Sequence, residues 1–199
     1  MKSIIIFFSL FIWYSSLGQD AELITQEKNL GVITCIDYSS DGRYIASGSD
    51  KDYKVKVWDT QSGKLVGTLS GHTKFINDIS FHPNGEQLIS SSADMKNYVW
   101  NLNTWSVKDS LEYNKELSKV NYSLNGNELF AGTASGDVIY CKSKEYKNVS
   151  MLGKAGGEIK SLLVSENIVA ASSSHDDMII WDLITKEKLK KVKPIGGSE

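Results

Sequence analysis

Short runs of alternating apolar and polar residues fill most of the chain after residue 30, and turn residues separate them. Ile76 to Phe81 alternates in this way, His82-Pro83-Asn84-Gly85 follows, and Gln87 to Ser92 alternates again. A period of two indicates half-buried β-strands, and Asn-Gly accepts the positive φ of a hairpin turn. Two further runs, 97–102 and 104–111, complete the unit. The pattern predicts four antiparallel strands within roughly 40 residues.

The same unit occurs four times along the chain. One series of markers has gaps of 42, 41 and 40 residues: Trp58, Trp100, Cys141 and Trp181. A second series of turn residues keeps this spacing: Asp41-Gly42, Asn84-Gly85, Asn125-Gly126 and Ser165-Glu166-Asn167. Such a period in an all-strand unit is typical of propeller blades. The sequence therefore predicts an all-β fold of four four-stranded blades, at about 30–70, 71–113, 114–153 and 154–194.

Several of these residues resemble the WD40 repeat family. The resemblance rests on Gly71-His72, on the run 47–50, and on the pairs Trp58-Asp59 and Trp181-Asp182, and it covers roughly residues 30–193. It is most specific in the second unit, where four residues stand at family spacing: His72, Ser90, Asp94 and Trp100. The resemblance implies a WD40-type β-propeller in which these four form a buried, hydrogen-bonded structural tetrad. Trp58, Asp59, Trp181 and Asp182 would be repeat markers.

The third unit departs from the family pattern. Cys141-Lys142 stands where Trp-Asp belongs, and Ser135-Gly136 lacks the usual aspartate. We therefore expect the third blade to be a degenerate repeat that is less rigid than the second.

The number of units leaves the closure of the ring open. Rings of this family usually have more than four blades, so an arc of four would leave apolar blade faces uncovered, and exposed apolar patches mark interfaces. Three explanations remain: the chain is a piece of a longer protein, two copies join into a larger ring as a homo-oligomer, or four blades close tightly. Residues 21–28 have the pattern of a strand left over from a further blade.

The N-terminus has the pattern of a secretory signal peptide. Lys2 precedes an apolar run at 4–14, and the small residues Ser15, Ser16 and Gly18 follow. The run is shorter than the ~20 apolar residues of a membrane span. We therefore expect a signal peptide at 1–19 cleaved near Gly18/Gln19, a propeller domain at 20–199 without a membrane span, and a secreted or periplasmic protein. A retained N-terminal anchor is the alternative.

Composition excludes some partners and cross-links. The net charge is −2, from 22 basic and 24 acidic residues, so no nucleic-acid partner is expected. Cys35 and Cys141 lie two units apart and are expected to be small buried hydrophobes without a disulfide. A lysine-rich stretch near the C-terminus is expected to be the solvated face of an outer strand, with binding to an anionic surface as the alternative: Lys186, Lys188, Lys190, Lys191 and Lys193.

Residue types suited to catalysis are present but are better explained as structural. His72, Ser90 and Asp94 are the residue types of a hydrolase triad, yet the repeat context predicts that they are buried. His175-Asp176-Asp177 forms one short turn with no distant partner, which is a poor metal site. We therefore expect no catalytic residue, no metal, no cofactor and no enzymatic activity.

Two functions remain, and the first is favoured. The chain is expected to be a protein-interaction scaffold, because the loops before the innermost strands carry a mixed set of residues rather than a constellation of acids or histidines. The expected partner-binding face for a protein or peptide contains Phe75, Asn77, Glu116, Glu158 and Lys160. The alternative is a propeller-type enzyme, or an accessory subunit of an exported hydrolase or lyase.

Overall fold

The computed structural model describes residues 31–175 and 178–192, and these residues form sixteen β-strands without a helix. The first blade contains β1 (Ile33–Tyr38), β2 (Tyr44–Ser49), β3 (Val55–Asp59) and β4 (Leu65–Leu69). The second contains β5 (Ile76–Phe81), β6 (Gln87–Ser92), β7 (Asn97–Asn101) and β8 (Ser106–Ser110). The third contains β9 (Leu117–Tyr122), β10 (Glu128–Thr133), β11 (Asp137–Lys142) and β12 (Ser150–Lys154). The fourth contains β13 (Ile159–Val164), β14 (Ile168–Ser173), β15 (Met178–Asp182) and β16 (Lys188–Val192).

Each blade is an antiparallel meander in which neighbouring strands pair in chain order. The predicted fold class, all-β with four four-stranded propeller blades, is confirmed. One strand differs clearly from its predicted range, because β12 begins at Ser150 instead of at residue 147. Tyr146 has φ 48°, and the Val149 N–H donates to the Lys147 carbonyl, so the preceding turn extends to residue 149.

The innermost strands β1, β5, β9 and β13 lie side by side in that order. An equivalent hydrogen bond links each strand to the next. A short side chain near the start of one strand donates to the carbonyl of the first residue of the following strand: Thr34 to Ile76 (2.6 Å), Asn77 to Leu117 (2.8 Å) and Ser118 to Ile159 (2.8 Å). All four innermost strands therefore begin on the same side of the arc.

The hydrophobic core is divided into three clusters, each between two successive blades. The first joins Ala46 and Val57 of the first blade to residues of the second, including Leu88 and Trp100. The second joins the second and third blades, and the third places Phe130 against residues of the fourth blade. Because each cluster needs two blades, no blade buries its apolar side chains alone.

The four blades form an open arc within the described residues. Close packing joins β1 to β5, β5 to β9 and β9 to β13, but no comparable packing joins β13 back to β1 in ranges 31–175 and 178–192. Ile36 on β1 is 65% exposed, whereas its counterpart Ile79 on β5 is 4% exposed. Blade faces at the two ends of the arc are thus uncovered in this part of the chain.

The predicted signal peptide at 1–19 and the Gly18/Gln19 cleavage site lie outside the described residues. Among the residues that are described, no helix has the length and apolar character needed to cross a bilayer.

Candidate functional site

The structure brings His72, Ser90, Asp94 and Trp100 together in one hydrogen-bonded chain. The Trp100 indole N–H donates to Ser90 Oγ (2.8 Å), and Ser90 Oγ lies 2.8 Å from His72 Nε2. His72 Nδ1 lies 3.1 Å from Asp94 Oδ2. These hydrogen bonds connect the loop before β5, strand β6, the β6–β7 turn and strand β7, so they hold four segments of the second blade in one geometry.

The protonation state of His72 follows from these contacts. Burial lowers the pKa of His72 below its ordinary value, although the nearby Asp94 carboxylate opposes the shift. Burial acts to raise the pKa of Asp94, but N–H donors from Thr73 and Lys96 and the contact with His72 outweigh it, so the Asp94 pKa is lowered. A neutral His72 satisfies every group: its Nδ1–H donates to Asp94, and its Nε2 accepts the Ser90 hydroxyl proton.

The arrangement has the order of a Ser–His–Asp triad but lacks an accessible nucleophile. Ser90 is 0% exposed, and its oxygen already accepts the Trp100 indole N–H. A substrate carbonyl cannot approach that oxygen while the second blade is folded, and nucleophilic catalysis requires such an approach. The geometry therefore suits a structural tie.

The tryptophans of the other Trp-Asp markers bond a neighbouring strand or pack between blades, and the aspartates stabilise turns. The Trp58 indole N–H donates to Ser47 Oγ (3.0 Å), as Trp100 does to Ser90. Asp59 accepts the Ser62 N–H (2.8 Å) in the turn after β3. Asp182 plays the same part after β15, where it accepts the N–H groups of Ile184 (2.8 Å) and Thr185 (2.7 Å). Trp181 is buried between the third and fourth blades.

The third blade replaces the tetrad with a different link. Ala131 and Cys141 stand where Ser90 and Trp100 stand in the second blade, so neither the hydroxyl nor the indole is present. The ammonium of Lys115, in the loop before β9, instead donates to Oδ2 of the buried Asp137 at the start of β11. Oδ1 of Asp137 lacks a hydrogen bond but lies 3.8 Å from Lys154 Nζ. An ion pair thus ties loop to blade where the family residues are missing.

The residues of the expected partner-binding face lie on the side of the arc where the innermost strands begin. Phe75 is 43% exposed just before β5. The Asn77 amide donates to Glu116 Oε1 (3.0 Å) as well as to the Leu117 carbonyl. Lys160 donates to Glu158 Oε2 (2.6 Å). We call Phe75, Asn77, Glu116, Glu158 and Lys160 the rim. Asn77 belongs to a blade junction and orients Glu116, whereas Phe75, Glu116 and the Glu158–Lys160 pair face solvent in whole or in part.

A polar cleft along the inner strands was not predicted from the sequence. It has a volume of about 230 Å³, and Asp37, Asp78, Lys119 and Ser161 are among the residues that line it. Asp78 Oδ2 accepts the Val120 N–H (2.9 Å), and Asp37 Oδ2 accepts the Phe81 N–H (2.7 Å). Burial raises the pKa of both carboxyl groups. In the sequence, the only sign of this cleft is that the innermost strands contain polar residues. That these residues bridge neighbouring blades is seen only when the strands are packed side by side.

The structure differs from the predictions at one lysine of the C-terminal stretch and at one of the two cysteines. Lys186 is not part of a solvated face, because its ammonium lies 4.8 Å from the Phe130 ring centroid and 2.7 Å from Glu128 Oε2, both in the third blade. Cys141 is buried, whereas Cys35 is only half-buried, and both are free thiols. Burial raises the pKa of each thiol to about 12.

His175 is described, but Asp176 and Asp177 are not. In the described ranges no group of three or more His, Cys, Asp or Glu side chains is placed to hold a metal ion.

The fold and the tetrad define a repeat propeller, and comparison with known proteins gives its family. The family model described as "WD domain, G-beta repeat" matches residues 22–59 and 63–101. Together with the four propeller blades, this match shows that the chain belongs to the WD40 repeat family.

Relatives from several eukaryotes are similar to parts of the chain. MST50-interacting protein 11 of Pyricularia oryzae is 32% identical over 136 residues, which are 67% of this chain and 42% of that protein. Small ribosomal subunit protein RACK1 of Neurospora crassa is 31% identical, with the same coverage. Eukaryotic translation initiation factor 3 subunit I of Culex quinquefasciatus is 25% identical over 83% of this chain and 55% of that protein. The chain thus spans about half or less of the length of these relatives.

These relatives overturn one expectation. The predicted secreted or periplasmic location is wrong, because two of the similar proteins are by name a component of the small ribosomal subunit and a subunit of a translation initiation factor. Ribosomes and initiation factors work inside the cell.

Proposed function

We propose that this chain is a protein-interaction scaffold that holds a protein or peptide partner on the rim. The observation that carries the proposal is Phe75, a large aromatic side chain that is 43% exposed on a loop fixed at both ends. The Phe75 carbonyl accepts the Ala93 N–H (3.1 Å), and the tetrad holds the preceding Gly71-His72. A rigid, partly exposed aromatic residue is a favoured interface anchor, because little side-chain entropy is lost on binding.

The charged members of the rim give it selectivity. Glu116 is oriented by Asn77, and Glu158 is paired with Lys160. Polar groups at the edge of an apolar anchor select among partners more than they add affinity. The rim therefore suits a segment with an apolar side chain for Phe75 and a basic group for Glu116.

The names of the relatives agree with this role. One is an "interacting protein", and two are components of larger assemblies. A scaffold is also preferred to an enzyme because the triad-like set in the second blade is closed to substrate, and the rim offers no nucleophile paired with a base. The function we propose needs neither a cofactor nor nucleic acid.

The test compares two exposed apolar residues of the central blades, one just before an innermost strand begins and one just after an innermost strand ends. Phe75→Ala removes the anchor, and Leu124→Ala, in the turn after β9, is the matched control. Tagged parent and variant chains are used to capture proteins from a lysate of the source organism, and the affinity of a captured protein is then measured. We expect Phe75→Ala to bind at least ~10-fold more weakly, which is about 1.4 kcal/mol, and Leu124→Ala to bind like the parent.

A second variant tests the charge. Glu116→Lys reverses the charge at one position of the rim and should weaken the same complex, with a reduced effect at high salt. If Phe75→Ala and Glu116→Lys are both folded and bind the captured proteins as the parent does, the binding surface lies elsewhere.

A further inference from the structure

The arc ends in two blade faces that no blade covers within the described residues. We call the first the leading face; it consists of Ile33, Ile36, Ile45 and Trp58 on the outer side of the first blade. Their counterparts in the second blade are fully or almost fully buried against the first blade: Ile76, Ile79, Leu88 and Trp100. The leading face therefore has the residue types of a blade surface that is normally covered.

We call the other the trailing face; it consists of Leu163, Ala170, Met178 and Ile180 on the far side of the fourth blade. Three counterparts in the first blade are Ala46, Val55 and Val57, and all are 0% exposed. Leu163 is 66% exposed and Met178 is 38% exposed. The trailing face therefore also consists largely of positions that are buried in the first blade.

The trailing face is complementary to the leading face, and neither face is complementary to a second copy of itself. At all three internal junctions, a surface of the trailing type packs against a surface of the leading type. A second copy carries the matching face for each end.

We propose that two copies of this chain join head to tail, with the trailing face of each copy against the leading face of the other, into a ring of eight blades. Each junction is heterologous, and a two-fold axis makes the two junctions identical and closes the ring. The contact continues the packing that already joins the blades within one chain.

One difference in sequence distinguishes the outer junction from the three internal ones. Asp37, Ser80 and Asn121 occupy one position on successive innermost strands, and each hydrogen-bonds the following strand. Leu163 takes that position on β13, so the junction with a second copy is more apolar, with Leu163 near Ile36 and Tyr38. Greater apolar burial is what association of separate chains requires, because binding must offset lost translational and rotational freedom.

Charge-swap variants test the arrangement. Ile36→Glu alters only the leading face, and Leu163→Lys alters only the trailing face; both residues are exposed, so each variant is expected to fold. Sedimentation velocity gives the mass of the parent, of each variant and of an equimolar mixture. We expect the parent to have the mass of two copies and each variant alone to have the mass of one.

The mixture is the decisive sample. One junction of a mixed pair is unaltered, and the other brings the introduced carboxylate of one copy opposite the introduced ammonium of its partner as an ion pair, so we expect the two-copy mass to return. Leu124→Lys, at an exposed site outside both faces, should keep the parental mass. A one-copy mass for the parent would overturn the proposal. The proposal would also be overturned if either variant alone had the mass of two copies, or if the mixture kept the mass of one copy.

Discussion

Asp94 is the residue on which the geometry of the second blade most depends. Its carboxylate accepts the Thr73 N–H (2.8 Å), the Lys96 N–H (2.9 Å) and the His72 imidazole (3.1 Å). The Asp94 side chain is almost fully buried, and loss of its carboxylate would leave the buried His72 imidazole without this partner. Leaving a buried donor unpaired costs more than the net stabilisation of one hydrogen bond.

Asp94→Ala is therefore expected to lower the free energy of unfolding by about 1–3 kcal/mol. Urea denaturation followed by tryptophan fluorescence measures the change, and Glu112→Ala, an exposed acidic site in the same blade, is the control. Equal stability of Asp94→Ala and the parent would show that the tetrad does not support the fold.

His72 should make stability depend on pH. Because its folded-state pKa lies below the unfolded value of about 6.5, the neutral form is favoured on folding. Its contribution is present above pH ~6.5 and is lost as pH falls from there toward the folded-state pKa. The stability difference between the parent and His72→Gln should therefore shrink between pH 7.5 and 5. Urea midpoints across this range measure it, with exposed His175→Gln as control; a difference that grows on acidification would contradict the assignment.

At the scale of the element, the turn between the first two strands of a blade sets the hairpin register. Gly42, Gly85 and Gly126 have φ of 69°, 73° and 71°. A side chain at such a φ costs roughly 1–2 kcal/mol. The three turns differ in their surroundings: nothing lies near a Cβ at Gly42 or Gly85, but His82 Cε1 lies 2.6 Å from a Cβ at Gly126.

Gly85→Ala and Gly126→Ala share the backbone strain, so their difference reports on His82. The His82 Nε2–H donates to the Gly126 carbonyl (2.9 Å), and the ring packs on Tyr122, 4.9 Å between centroids. We expect Gly126→Ala to destabilise by about 1 kcal/mol more than Gly85→Ala, because His82 must withdraw and lose this bond. In a His82→Ala background the two costs should become equal. If they still differ, the clash is with something other than His82.

At the scale of the whole molecule, stability should be greatest in the middle of the arc. Each central blade contributes to two interblade clusters, whereas the first and fourth blades contribute to one each. In such arrays stability is close to a sum of repeat and junction contributions, so the terminal repeats open first.

Hydrogen exchange of the Ile36→Glu variant, in which both end faces are expected to be uncovered, tests this gradient. Amides of β1 and β13 should exchange faster than those of β5 and β9. The equivalent strand positions in four blades provide an internal control for local sequence effects. Uniform protection across the four innermost strands would contradict the view that junctions carry the stability.

Local signals in the sequence are enough to predict the strands, the blades and the four members of the tetrad. Alternation with a period of two is a local property, Asn-Gly turns fix hairpins within a few residues, and the repeat carries the same signals four times. Strand β12 was placed three residues too early because the positive φ of Tyr146 extends a turn that no local pattern marks. The N-terminal run was interpreted as an export signal because composition alone does not distinguish it from other apolar segments.

Which polar residues join the blades and which remain exposed is visible only once the blades are packed together. Asn77 resembled a rim residue in sequence but donates to Leu117 across a junction, and Lys186 resembled a solvated lysine but covers Phe130. The Lys115–Asp137 pair that replaces the tetrad in the third blade joins residues 22 apart and has no motif. The same apolar pattern is buried at Ile79 and exposed at Ile36. Burial depends on a neighbouring blade, which lies about 40 residues away in sequence, so a local pattern cannot distinguish the two positions.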